Sequence, residues 1–168
     1  MDRRQLLVMT MACVTTALCD QGIHAEEHND PALIRLMGNA KVSLQDGLLA
    51  ATKEGQPISG KFEVEDGKLQ LSLYTAKGGK FSEVVVDYIT GKVSKTEEIT
   101  EGDDLSAAKS QDEAMRKATT DLKTAASKSQ IPGAQVVSIT PSLKGGHAVA
   151  SITVLQGPQF KTLDQPLD

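Results

Sequence analysis

The sequence predicts an α+β fold of two repeats, each with one helix packed on one face of a small antiparallel three-stranded meander sheet. The segment KFEVEDGKLQLSLY, residues 61–74, alternates polar and apolar side chains strictly, as a strand with one buried face does. The segments SLQDGLLAAT, from Ser43, and SQDEAMRKAT, from Ser110, each place an acidic residue three positions after a serine, which is typical of a helix start. Strand patterns follow both starts in the same order, which predicts an internal repeat.

The first repeat begins with a helix for which Ser43 and Asp46 form a loose capping box. The Asp66-Gly67 pair predicts a two-residue hairpin turn, because both residue types tolerate positive φ. A second turn at residues 77–80 leads into a third strand over residues 81–88. These elements predict one helix followed by three antiparallel strands.

The second repeat is expected to begin with a capping box at Ser110 and Glu113, and its helix to continue to Ile131. AQVVSIT and HAVASITVLQ predict two strands joined by a turn at Gly145-Gly146. An ungapped alignment of the two strand regions pairs the following residues: Gly67 with Gly146, Gly78 with Gly157, and Phe81 with Phe160.

Domain organisation is predicted as a signal peptide over residues 1–25, an N-terminal segment over 26–41, repeat one over 42–94, an acidic linker over 95–106 and repeat two over 107–168. Arg3 and Arg4 precede an apolar run that is shorter than the roughly 20 residues of a membrane span, and Ile23 and Ala25 suit a signal-peptidase site. We therefore expect a periplasmic or secreted protein with no membrane span in the mature chain. A short transmembrane anchor or a lipid anchor at Cys19 are the alternatives.

The N-terminal segment and the linker carry two further expectations. Asp30, Pro31 and Gly38 predict a short helix, with the aspartate as its cap and the glycine at its end. The linker is rich in carboxylates, but their spacing lacks the alternating ligands of a calcium loop. We therefore expect a solvated linker there.

Composition argues against several classes of function. The net charge is −4, and the predicted signal peptide carries equal numbers of acidic and basic residues, so an acidic mature protein is not expected to bind nucleic acid. Both cysteines, Cys13 and Cys19, lie in the predicted signal peptide, and His28 and His147 lie far apart in the chain. We expect no metal, no cofactor and no catalytic residues, and hence no enzyme.

The Gly91-Lys92 pair raises the question of a phosphate-binding loop. That motif needs a glycine five residues before the Gly-Lys pair and a serine or threonine after it. Val86 and Val93 occupy those positions. A turn that ends a strand is therefore expected instead.

The segment FSEVVVDYITGKV, with Asp87, Thr90, Gly91, Lys92 and Val93, resembles the strand ending of the PepSY domain family. The order of helix, EDGK hairpin and strand ending is similar to the family in the first repeat. The second repeat lacks the D-x-x-T-G-K segment, and Pro166 falls where the first repeat has Asp87. The resemblance implies an exported, non-catalytic module, and the family includes propeptide segments that inhibit their own metallopeptidases. It implies a protein or peptide partner, with an exported metallopeptidase as the candidate, and a structural role for Asp87, Thr90, Gly91 and Lys92.

One strand face of the second repeat is nearly uncharged, with the side chains of His147, Val149, Ser151 and Thr153. The matching face of the first repeat is charged. The uncharged face either packs against the other repeat or the N-terminal segment, or receives a partner. An exposed sheet edge is a second candidate for binding a peptide. An envelope scaffold, and an accessory sensor of a small ligand or cation, are the alternative functions.

Overall fold

Residues 30–168 are described by the computed structural model, and they contain one seven-stranded antiparallel sheet with four helices. The predicted signal peptide and His28 lie outside these residues. The elements in chain order are α1 (Pro31–Met37), α2 (Leu44–Ala51), β1 (Gln56–Glu65), β2 (Lys68–Lys77), β3 (Lys80–Val86), β4 (Val93–Ile99), α3 (Gly102–Lys117), α4 (Leu122–Lys128), β5 (Ala134–Lys144), β6 (His147–Gln156) and β7 (Gln159–Pro166).

The predicted fold class is wrong, because the strands do not form two separate three-stranded sheets. The strand order is β4-β3-β2-β1-β5-β6-β7. The first meander, β1–β4, and the second meander, β5–β7, are therefore joined side by side in one sheet. The junction is short: β1 and β5 pair antiparallel at Gly60 with Ile139 and at Lys61 with Ser138. Pairing β1 with β5 leaves β4 and β7 as the two edge strands.

The hairpin turns lie where the sequence predicts them. Glu65 pairs with Lys68 across the Asp66-Gly67 turn, and both turn residues have positive φ. The Gly145-Gly146 turn likewise joins β5 to β6, with both glycines at positive φ. The prediction of these two turns is therefore confirmed.

The predicted acidic linker contains most of β4 and the first residues of α3. Strand β4 is exposed along almost its whole length, and its sequence, VSKTEEI, is polar on both faces. It pairs with β3 across the turn that contains Gly91. Val93 and Ile99 at its two ends pack against the core, and backbone pairing holds the exposed residues between them.

The helix starts agree with the predictions in the first part of the chain and differ in the second. Asp30 caps α1 with Pro31 in its first turn, and Ser43 and Asp46 form a complete capping box on α2. Ser110, in contrast, lies inside α3, where its hydroxyl group donates to the carbonyl of Ser106. The backbone leaves the helical region at Ala118, and Asp121 caps a separate helix, α4.

The helices lie on both faces of the sheet. Side chains of Leu44 and Leu48 in α2 meet the sheet at Gly60, and Gly47 lies against Leu71. Ser59 and Tyr74 point to the opposite face by strand alternation, and they bond to residues of α3. We call these two faces the α2 face and the α3 face.

The core lies mainly on the α2 face. Its largest fully buried side chains are Met37, Leu44, Leu48, Ile58, Leu71, Leu73, Leu122, Ile139, Ile152, Leu167, Val84 and Val86. Helix α4 packs against α2 and also contacts β1, β5 and β6. The core therefore spans the β1–β5 junction, and both meanders share it.

Candidate functional site

The turn between β3 and β4 is held by the carboxylate of Asp87. Its Oδ1 atom accepts from the backbone N–H of Ile89 at 3.0 Å and of Thr90 at 2.6 Å, and from the Thr90 hydroxyl group at 3.0 Å. These three hydrogen bonds lower the pKa of Asp87. The bond from the Thr90 backbone has the largest effect, followed by those from the Thr90 hydroxyl group and the Ile89 backbone. Because these bonds favour the charged form, the carboxylate is engaged within its own loop.

Gly91 completes the turn with φ +71°, and its N–H donates to the carbonyl of Asp87 at 2.8 Å. The loop also docks on the segment between α1 and α2, where the N–H groups of Lys41 and Val42 donate to the carbonyl of Tyr88. Lys92 is exposed. This arrangement supports an architectural role for Asp87, Thr90 and Gly91.

The predicted partner-facing residues lie on β6, which is an interior strand of the sheet. His147, Val149, Ser151 and Thr153 point to the α3 face by strand alternation, and α3 packs against both β5 and β6. Thr153 is buried, Val149 and Ser151 are half-buried, and His147 is exposed. The four side chains therefore share one face but differ in how accessible they are to a partner.

His147 lies at the beginning of β6, where its Nδ1 atom is 2.7 Å from the carboxylate of Asp168. The hydrogen bond from His147 is the largest cause that lowers the pKa of Asp168. Within residues 30–168, no group of three or more histidine, cysteine, aspartate and glutamate side chains is arranged to hold a metal ion. His147 is thus engaged with a carboxylate.

The two edge strands differ in charge and regularity. In β4, three of the seven residues are charged, and its register with β3 shifts between Val85 and Val86. Strand β7 pairs with β6 through eight consecutive residues without a shift. Charged side chains are paired in both edge strands: Lys161 with Gln156 at 2.7 Å and Asp164 with Lys144 at 2.5 Å in β7, and Lys95 with Glu97 at 2.8 Å and Glu98 with Lys80 at 3.1 Å in β4.

A groove of about 420 Å³ lies between α2, α4, the end of α3 and the beginning of β1. We call it the corner groove, and it is lined by Leu48, Leu49, Thr52, Gly55, Gln56, Pro57, Met115, Asp121, Leu122 and Lys123. The sequence did not indicate this groove. Its residues come from four elements and the segments next to them, so no local pattern links them.

A smaller polar pocket lies between α3 and the centre of the sheet. The hydroxyl group of Tyr74 donates to Asp104 at 2.7 Å, and that of Ser59 donates to the side chain of Gln111 at 2.8 Å. Burial, followed by the bond to Asp104, raises the pKa of Tyr74 above its ordinary range. These bonds fasten α3 to the sheet.

Comparison with protein-family models, with curated proteins and with solved structures gave no significant match to the chain. None of the helices in residues 30–168 is long and apolar enough to cross a membrane.

Proposed function

We propose that the protein is an exported, non-catalytic binding module of PepSY type that modulates or inhibits a peptidase outside the cytoplasm. Its partner is an extended polypeptide segment, which adds to the sheet along β7. A strand at the edge of a sheet has a row of backbone N–H and C=O groups without ladder partners, and an extended peptide can pair with them.

The observation that carries this proposal is the regular outer edge of β7. Natural proteins protect sheet edges with charges and bulges, and β4 has both devices. Strand β7 has an unshifted register and two charged residues, one fewer than β4. Its outer edge is therefore the better template for strand addition.

The side chains of β7 supply a basis for selectivity. Phe160 and Thr162 point to the α3 face and Leu163 to the α2 face, since their partners in β6 alternate in the same way. Both Phe160 and Leu163 are half-buried, and Phe160 packs against the core. An added strand would place alternate side chains beside these positions, on the two faces of the sheet.

The test is inhibition of exported metallopeptidases from the same organism by the protein over residues 26–168. The N–H groups of successive residues in β7 point alternately toward β6 and away from it. Proline is therefore introduced at each of two neighbouring positions, as Lys161→Pro and Thr162→Pro, so that one of the two variants removes an outward-pointing N–H group. The variant that keeps the wild-type melting temperature is the informative one. We expect it to lose most of the inhibition, because it removes one outward-pointing donor of β7.

Lys95→Pro and Thr96→Pro in β4 are the matched controls for the opposite edge. The member of this pair that keeps its melting temperature should inhibit as the wild type does. Absence of inhibition by the wild type across the panel would rule out the peptidase proposal. Equal loss in the β4 and β7 variants would rule out β7 as the binding edge.

A further inference from the structure

The corner groove has an apolar wall that is incompletely covered. Leu48, Met115 and Leu122 are buried behind it, whereas Leu49 at its rim is 53% exposed. Leu49 and Ile89 are the two exposed large hydrophobic side chains in residues 30–168. A volume of about 420 Å³ is within the usual range for small-molecule sites, which combine apolar walls with a few polar groups.

The polar groups of the corner groove differ in whether they already have partners. The carboxylate of Asp121 accepts from the N–H of Thr124 at 2.7 Å and from its hydroxyl group at 3.0 Å. The hydroxyl group of Thr52 donates to the carbonyl of Leu49. The Asp121 carboxylate and the Thr52 hydroxyl group therefore already bond to residues close to them in the chain.

The corner groove also contains two side-chain donors, the ammonium group of Lys123 and the amide of Gln56. Within the described part of the chain, the ammonium group of Lys123 makes no ion pair, and the side-chain amide of Gln56 makes no hydrogen bond to another protein group. The hydrogen bonds with Ser43 are the main cause that lowers the pKa of Asp46, and the nearby charge of Lys123 adds a smaller effect. Asp46 itself is occupied by Ser43. Both side chains are exposed, so the groove offers two solvated donors beside an apolar wall.

We propose that the corner groove binds a small amphipathic carboxylate. Its apolar chain lies against Leu49, Met115 and Leu122, and its carboxylate accepts from Lys123 and Gln56. Asp121 keeps its negative charge, but its carboxylate bonds to Thr124. Lys123 is the cation among the lining residues, and an anionic head group complements it. Met115 suits this wall because its flexible thioether adapts to ligands of different shape. No residue of β7 lines the groove, so this site is separate from the proposed edge for strand addition.

The test uses octanoate as the probe, with octanamide and octylamine as ligands of the same chain length. Calorimetric titration into the protein over residues 26–168 should show octanoate binding about tenfold tighter than octanamide, since its head group makes charge-assisted bonds. Octylamine should bind weakest of the three. Equal affinities for all three ligands, or no binding of octanoate, would overturn the proposal.

Three variants separate the head group from the chain. Lys123→Met should bring the affinities for octanoate and octanamide close to one another, because only the charged head group loses a partner. Leu49→Ser should weaken both ligands by a similar factor. Ile89→Ser is the matched control, since it removes the other exposed large hydrophobic side chain, and it should bind both ligands as the wild type does.

Sedimentation velocity distinguishes a ligand site from an interface between two copies of the chain. If Leu49→Ser converts a dimer to a monomer, and octanoate does the same to the wild type, the groove is a dimer contact and the proposal is wrong. A wild-type protein whose sedimentation coefficient is unchanged by octanoate agrees with the proposal. Melting curves of all variants confirm that each is folded.

Discussion

The hydroxyl group of Tyr74 in β2 donates a hydrogen bond of 2.7 Å to the carboxylate of Asp104 in the first turn of α3. Together with the bond from Ser59 to Gln111, it fastens α3 to the face of the sheet opposite α2. Helix α3 connects the two meanders in the chain, and these bonds attach it to strands of the first meander.

Tyr74→Phe is expected to lower the free energy of unfolding by about 1 kcal/mol, because a partly exposed hydrogen bond is lost. The folded state raises the pKa of Tyr74, so it favours the neutral phenol. The stability from this group is therefore complete below the ordinary pKa of 10.0 and is lost as the pH rises above it. Urea unfolding at pH 8 and at higher pH should show the wild-type advantage over Tyr74→Phe decreasing with pH. A constant difference would contradict the pKa shift.

Gly91→Ala tests the turn between β3 and β4. A side chain at φ +71° costs roughly 1–2 kcal/mol, and an added Cβ atom would also approach the Cγ1 atom of Val42 to 3.3 Å. Gly78→Ala is the control, because φ is +60° there and no atom lies within 4 Å of the added Cβ. We expect the larger loss of unfolding free energy for Gly91→Ala, measured by urea denaturation. Equal losses would show that the contact with Val42 is unimportant.

The hydrogen bonds to the Asp87 carboxylate predict that the stability of the protein depends on pH in the acidic range. The folded state lowers the pKa of Asp87 below its ordinary value of 3.8, so the charged form is favoured. Its contribution is present above that value and is lost as the pH falls through the folded pKa. The difference in melting temperature between the wild type and Asp87→Ala should therefore be largest near neutral pH and shrink in acid. A difference that grows in acid would contradict this account.

Ser43→Ala and Ser110→Ala form a matched pair for the two predicted helix starts. Ser43 caps α2, so its removal should cost about 1 kcal/mol of unfolding free energy. Ser110 lies inside α3 and bonds only to the turn before it, so its removal should change stability by less than about 0.5 kcal/mol. If both changes cost the same in urea unfolding, a helix that begins at Ser110 is the better description.

Local patterns in the sequence predicted the hairpins and the first two helices. Asp66-Gly67 and Gly145-Gly146 mark turns because the backbone needs positive φ there, and Ser43 marks a helix start because it satisfies a free N–H group. Strand β4 was missed because a strand exposed on both faces has no apolar alternation. The start of α3 was missed because Glu101, at its N-cap position, makes no side-chain cap bond.

Long-range features could not be predicted from the same patterns. The β1–β5 junction involves two residue pairs that are far apart in the chain, and neither Gly60 nor Ile139 carries a signal of the partner strand. The uncharged face of β6 was predicted from alternation, but its partial cover by α3 was not. The corner groove requires four elements to meet, which only the fold determines.

The central claim is that the two meanders form one sheet, which leaves β7 as an edge available to a partner. Nuclear Overhauser effects between backbone protons of Lys61 and Ser138 test it most directly, because these residues pair across the β1–β5 junction. We expect cross-strand effects there, together with effects between Gly60 and Ile139. Their absence from a folded protein, with effects retained inside each meander, would mean two separate sheets and would contradict the account.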